Sequence, residues 1–320
     1  MTSALTTTLT AIINARVVPV IGETIANGTV LIENGRISAV GADLTVPIGA
    51  QVIDATGRWV LPGFIEAHGH VGIHEAANGW AGNDTNEMTG PNMTAVRAID
   101  AINTDDEGFR DAISGGVSTI VVKPGSGNPI GGQSVAIKSS GGRTIDEQVI
   151  SDSVSIKRAR GENPKRIYGE KKQTPSTRLG VSLIIRQAVV DARNYVQARD
   201  AAAEKGDTFT RDLGQEALAR VLSGELAWDQ HVHQASPAVK EGLPAQTALE
   251  ALTVNPAVIL GLDSRVGSLT VGLDADVVIW SGDPLDLGSR AELVLIDGTP
   301  VYRHSDGFGQ VVERADRASA

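Results

Sequence analysis

His68 and His70 close the run Leu61-Pro62-Gly63-Phe64-Ile65-Glu66-Ala67-His68-Gly69-His70. Two imidazoles can hold a divalent metal such as zinc if both point the same way. A β-strand achieves this, because its side chains alternate between faces and positions two apart share one. The apolar residues before the pair supply the strand, and Pro62-Gly63 the turn into it. The chain contains no cysteine, which excludes disulfides and thiolate ligands. Any metal must therefore rest on His, Asp, Glu or a modified Lys.

The elements that must position this pair change character along the chain. Residues 9–60 read as β-structure, with Ala11–Val20 a strand and Asn34-Gly35 a two-residue hairpin signal between Thr29–Glu33 and Arg36–Val40. Phe64–His70 is the next strand. From there strands alternate with helices: a helix over Asp105–Ser114, a buried strand over Val117–Val122, a long helix over 181–205 ended by Gly206, a helix over Arg211–Leu222, a strand within Glu225–Ala235 and a helix over Pro244–Leu252. Such alternation implies a parallel sheet or barrel. The C-terminal part returns to β-structure with Asp276–Trp280 and Leu293–Ile296, then the hairpin turn Asp297-Gly298 into Pro300–Tyr302. Strands at both ends around an α/β middle suggest that the two ends pair into one small sheet domain.

Composition narrows the function classes. The chain has 320 residues, 41% hydrophobic and 21% charged, as in an ordinary globular protein. Its net charge of −10 argues against nucleic acid and anionic membrane surfaces as partners. No basic leader precedes an apolar stretch, and no apolar run reaches the ~18 residues of a membrane span. The expected location is cytoplasmic.

Three stretches together resemble the metal-dependent amidohydrolase superfamily, in its imidazolonepropionase-like branch. They are Ile53–Arg58 followed by Leu61–His70; Leu252-Thr253-Val254-Asn255-Pro256-Ala257; and Val266–Leu269 continuing to Asp274–Trp280. The resemblance implies a TIM-type (β/α) barrel carrying a small β-sandwich built from both chain ends. The sandwich would take residues 1–62 and 262–305, the barrel 63–261, and a tail 306–320. It implies hydrolysis of carbon–nitrogen bonds other than peptide bonds, in a small-molecule substrate, by water that a divalent metal activates. Zinc is the first expectation. His68 and His70 match the family's first ligand pair, Glu162 its carboxylate ligand and His231 its fifth-strand histidine, with His233 close by. Glu170 rivals Glu162.

The barrel reads as incomplete. Residues 63–261 must hold it, against about 250 residues for a typical one. After His233 the stretch Ser236–Pro244 already resembles the entry to the helix that follows the eighth strand, so about three β/α units are missing near residue 235. The six histidines leave none for a sixth-strand ligand, and the late catalytic Asp has no match. Asp229 is the substitute base. The alternative is a non-catalytic or impaired relative, and an open barrel with bare strand edges is compatible with a homo-oligomer.

Other groups divide between chemistry and architecture. The glycine-rich segment Gly125–Ser134 follows a strand, so Gly131, Gly132 and Gln133 are either substrate contacts or a structural turn. The basic stretch 157–178 is either a solvated loop or an attractor for a carboxylate-bearing substrate. His74 reads as a loop histidine and His304 as a structural or exposed one.

Overall fold

Short loops decide the architecture of this chain. The computed structural model describes residues 8–76, 78–140, 144–228, 242–305 and 308–311. Strands β1 (Leu9–Val17), β2 (Ile25–Glu33), β3 (Arg36–Gly41), β4 (Gln51–Asp54) and β5 (Trp59–Pro62) come first. The middle carries β6 (Phe64–Gly69), α1 (Glu107–Ser114), β7 (Val117–Val122), β8 (Ile130–Lys138) and β9 (Val149–Arg158). It continues with α2 (Glu162–Glu170), α3 (Arg178–Lys205), α4 (Leu213–Leu222), the two-residue β10 (Ala227–Trp228), α5 (Ala245–Leu252) and α6 (Val254–Ile259). The last strands are β11 (Val277–Trp280), β12 (Ala291–Ile296), β13 (Thr299–Ser305) and β14 (Phe308–Val311).

The two chain ends share one nine-stranded sheet, ordered β14-β13-β12-β11-β5-β1-β2-β3, with β4 paired to β1 beside β5. The link between the ends is the antiparallel pair β5–β11, in which Leu61 faces Val278. Both hairpin turns take the backbone that their residues favour. Asn34 and Gly35 have φ of 50° and 78°, and Asp297 and Gly298 have 49° and 71°. Positive φ at both central positions is the turn that matches the strands' twist. The turns also lean on each other: a Cβ on Gly35 would lie 2.9 Å from the Asp297 carbonyl oxygen.

Alternation along β11 sends Val277 and Ile279 into one core with Ile12, Val30 and Val60. Val278 and Trp280 go to the opposite side, with Leu61, Phe64, Ile113 and Leu249. That second core welds the sheet to α1, α5 and the start of β6.

The middle forms a five-stranded sheet, β10-β9-β8-β7-β6. β6 and β7 are parallel, as are β9 and β10, but β8 runs antiparallel to both neighbours. This departs from the uniform strand–helix alternation read from the sequence, where residues 125–134 were a loop or turn and a strand-like segment preceded Gly161. The cause is connection length. Only residues 123–129 join β7 to β8, and 139–148 join β8 to β9. A parallel return needs a crossover of about a dozen residues or more, so β8 has to double back. The parallel pair β9–β10 has room for its crossover, which contains α2, α3 and α4. Helix α3 opens on a Thr177 cap to the Gly180 amide and closes at Gly206 in the left-handed region.

A buried ionic cluster joins the two sheets. Lys138, at the end of β8 and 4% exposed, lies 2.7 Å from Asp276, 2.9 Å from Asp274 and 3.3 Å from Asp297. Arg265 closes on Asp274 at 2.7 Å. Burial works against the Lys138 ammonium, but the three carboxylates outweigh it and raise its pKa. Burial pushes the Asp276 carboxyl up. Asp274 is also opposed by burial, yet the Arg265 hydrogen bond and Lys138 hold it below the usual carboxylate value. The two aspartates diverge because only Asp274 has a second cation.

Candidate active site

His68 is the penultimate residue of β6, and His70 follows its last, Gly69. Their rings meet edge to face with centroids 5.6 Å apart. Each is oriented by a neighbour on a parallel strand. The His70 Nδ1 lies 2.7 Å from the carbonyl oxygen of Lys123, directly after β7. A carbonyl can only accept, so Nδ1 carries the hydrogen and Nε2 carries the lone pair. A backbone carbonyl behind one ring nitrogen is the usual way to aim the other at a metal. The His68 Nε2 lies 2.8 Å from the Nζ of Lys157 near the end of β9. An ammonium has donors only, so against Lys157 in that form the His68 Nε2 is the acceptor and its lone pair is taken.

Lys157 is the residue that sequence reasoning passed over. It is 1% exposed, among the largest fully buried side chains. Strand alternation puts Ser153, Ser155 and Lys157 on one face of β9. The Ser155 hydroxyl meets that of Ser134 at 3.0 Å, and Ser153 donates to the Gln133 amide oxygen at 3.2 Å. The polar face thus leads along β9 to the amine beside His68. The Gly131-Gly132 pair leaves room for it: a Cβ on Gly131 would touch Lys157 Cγ at 3.4 Å. Gly132, at φ +122°, has the Val96 carbonyl oxygen only 2.5 Å from where its Cβ would be.

The other sequence candidates fall elsewhere. Gly131, Gly132 and Gln133 lie in β8 and are buried, rather than in a loop. The Gln133 amide is spent inside the protein, donating to the Thr94 carbonyl at 3.2 Å and accepting from Ser153. Glu162 opens α2, exposed, with its carboxylate 2.7 Å from Arg166; the structure does not bring it to either imidazole. Glu170 ends the same helix on the surface. Asp229, His231 and His233 lie outside the described residues. His74 is in the loop after the pair, its amide bonded to the His70 carbonyl. His304 is in β13, 3.4 Å from the Tyr302 hydroxyl. The basic stretch is no single loop: Lys157 is buried, Arg158 stacks over Trp228 at 5.2 Å, and Arg166 and Lys171 sit in or just after α2.

Among the described residues no three His, Asp or Glu side chains converge as a metal cluster. The donor set at hand is His68, His70 and Lys157. Two imidazole nitrogens with a nitrogen or oxygen from a modified lysine suit a borderline ion such as zinc and leave a coordination position open. A cleft of about 600 Å³ adjoins the set, lined in part by Pro124, Gly131, Asp84 and Trp80. Pro124 follows the residue that holds His70, and Gly131 packs on Lys157, so the cleft reaches the immediate neighbours of the set.

A family profile described as amidohydrolase family matches residues 197–302. A crystal structure of an amidohydrolase from Thermotoga maritima MSB8 is 31% identical, with a TM-score of 0.86, over 92% of this chain and all of that one. Amidohydrolase tasK of Hapsidospora irregularis is 26% identical over 86% of this chain and 40% of its own length. That alignment runs over 390 positions, more than the 320 residues of this chain. An adenine deaminase of Clostridium botulinum is 25% identical over 91% of this chain and 57% of its own. The chain thus spans about half the length of these two curated relatives. None of the described helices is long and apolar enough to cross a membrane.

Proposed function

We propose, since this chain belongs to the metal-dependent amidohydrolase superfamily, that it hydrolyses carbon–nitrogen bonds other than peptide bonds in a small-molecule substrate. The observation that carries this reading is the meeting of His68, His70 and Lys157 at the strand ends. A divalent ion, zinc in our reading, supplies Lewis acidity and lowers the pKa of water when bound. His68 and His70 would hold it, His70 through Nε2 and His68 once its Nε2 is released by the Lys157 amine. Lys157 takes the place first given to Glu162. As an ammonium it would oppose a cation, so we propose that it works as the carboxylated lysine of the family, an anionic oxygen donor beside His68. His231 is the further imidazole ligand, and Asp229 the group that accepts the proton from water. The surrounding polypeptide keeps this chemistry dry, because β8 and the residues behind it are buried.

We further propose that the barrel is complete only through its first half and that about three late β/α units are absent after residue 235. The alignment longer than the chain supports this, as does the short stretch 229–244 between β10 and α5. Cytoplasmic residence and self-association through the open sheet edge belong to the same reading.

The test is turnover of a panel of N-acyl amino acids, cyclic amides and amidines by zinc-loaded protein, with dipeptides as the peptide-bond control. Hydrolysis that disappears in His68→Ala and in Lys157→Ala is expected. A folded, zinc-loaded wild type that cleaves nothing in the panel would reduce the assignment to shared ancestry.

A further inference from the structure

Of the four tryptophans, three are in ring contacts: Trp59 under Arg16, Trp228 under Arg158 and Trp280 against Phe64. Trp80 is 92% exposed. Leaving an indole in water forgoes a large burial gain, so its place calls for a contact partner. The loop that carries it is built rather than slack. It starts at His70, whose carbonyl accepts from the Ile73 and His74 amides, and it is crossed by the Glu75–Gly82 and Asp84–Ile73 backbone bonds. Asp106 pins it from α1 through the Gly72 and Ala76 amides. The loop backbone is thus held where Trp80 helps to line the cleft, together with Pro124 and Gly131.

The charges of that wall are unequal. Of its cations, Arg97 is paired with Asp100 through two nitrogens, and Lys171 donates to the Met88 carbonyl at 2.9 Å and also acts on Glu87. Two carboxylates, Asp84 and Glu87, stand against that one remaining cation. Asp84 is exposed and makes no ion pair among the described residues. Glu87 accepts from Thr89, which holds it below the usual carboxylate pKa and so keeps it charged.

We infer that Trp80 is the specificity platform of the cleft, stacking a planar group of the substrate that is neutral or cationic and not anionic. This rests on the hydrolase reading for the word substrate, but its test needs no turnover. Titration calorimetry on the zinc-loaded full chain compares benzamidine, acetamidine and benzoate. Benzamidine is expected to bind more tightly than benzoate. In Trp80→Ala its affinity should fall about three- to tenfold, as loss of a stacking pair implies. Trp80→Phe should restore most of that loss, and acetamidine, which has no ring, should bind both proteins alike. Because the indole is exposed, its removal leaves the core intact, and an unchanged unfolding transition verifies this. Equal benzamidine affinity in wild type and Trp80→Ala, tighter binding of benzoate, or no benzamidine binding at all would overturn the inference. A protein that binds benzamidine on Trp80 yet hydrolyses no amide would fault the hydrolase reading alone.

Discussion

Lys157 meets two opposing demands. Its stem is sealed on a strand face shared with Ser153 and Ser155, and its amine stands 2.8 Å from an imidazole nitrogen. A buried lysine is costly unless something uses it. Replacing it by Met keeps the volume and removes the amine. We expect Lys157→Met to fold cooperatively, to lose zinc affinity and to lose hydrolysis together; retained turnover at wild-type rate would exclude Lys157 from the site. The histidine pair was legible because spacing by two on an apolar strand has one simple geometric meaning. Lys157 was not, because its neighbours Arg158, Arg160, Lys165 and Arg166 make it look like one more solvated cation. The available signal was the alternation Val154-Ser155-Ile156-Lys157, which places the lysine inside a strand and not in a charged loop. Glu162 misled for the converse reason: Gly161-Glu162-Asn163-Pro164 begins a helix, where a carboxylate favours the first turn and pairs with the cation four residues on.

The hairpins were readable and the reversed strand was not. Asn34-Gly35 and Asp297-Gly298 encode their turns in two residues. β8 is encoded only by what is missing before it, a crossover long enough to bring the chain back parallel. Its glycines, Gly131 and Gly132, read as loop because their reason lies across the fold, in the close approach of Val96 and Lys157. The crowding of the two hairpin turns gives a direct test. Gly35→Ala adds a Cβ at positive φ against the Asp297 carbonyl and should cost about 1–3 kcal/mol in denaturant unfolding. A change within error would show that the turns do not pack as described.

At the scale of the molecule, Lys138 joins the five-stranded sheet to the sheet made by the two chain ends. Lys138→Met leaves three carboxylates without their shared cation and should destabilise the fold by about 3–5 kcal/mol. The pH dependence follows from the directions of the shifts. The raised Lys138 value contributes stability that is present below its ordinary 10.5 and is lost as pH rises through the raised value. The lowered Asp274 value contributes stability that is present above its ordinary 3.8 and is lost as pH falls through the lowered one. The raised Asp276 value acts oppositely to Asp274, favouring the fold more as pH falls. Urea unfolding should therefore show a loss of stability above pH 10.5 that is shallower in Lys138→Met; parallel alkaline profiles would contradict the cluster's role. Metal should act on the same scale. Zinc at a hundredfold excess over its dissociation constant should stabilise the fold by about 2.7 kcal/mol, read as a rise in melting temperature. The joining of both chain ends was foreseeable from β-rich termini around an α/β middle, whereas the ionic cluster was not. Its members Lys138, Arg265, Asp274, Asp276 and Asp297 are scattered in sequence and have no common spacing.

The most direct measurement is zinc per chain after saturation and exhaustive dialysis, on folded wild type, His68→Ala and Lys157→Ala. We predict at least one ion retained by the wild type and almost none by either variant. A folded wild type that emerges without metal, or variants that keep it equally well, would contradict the proposed centre.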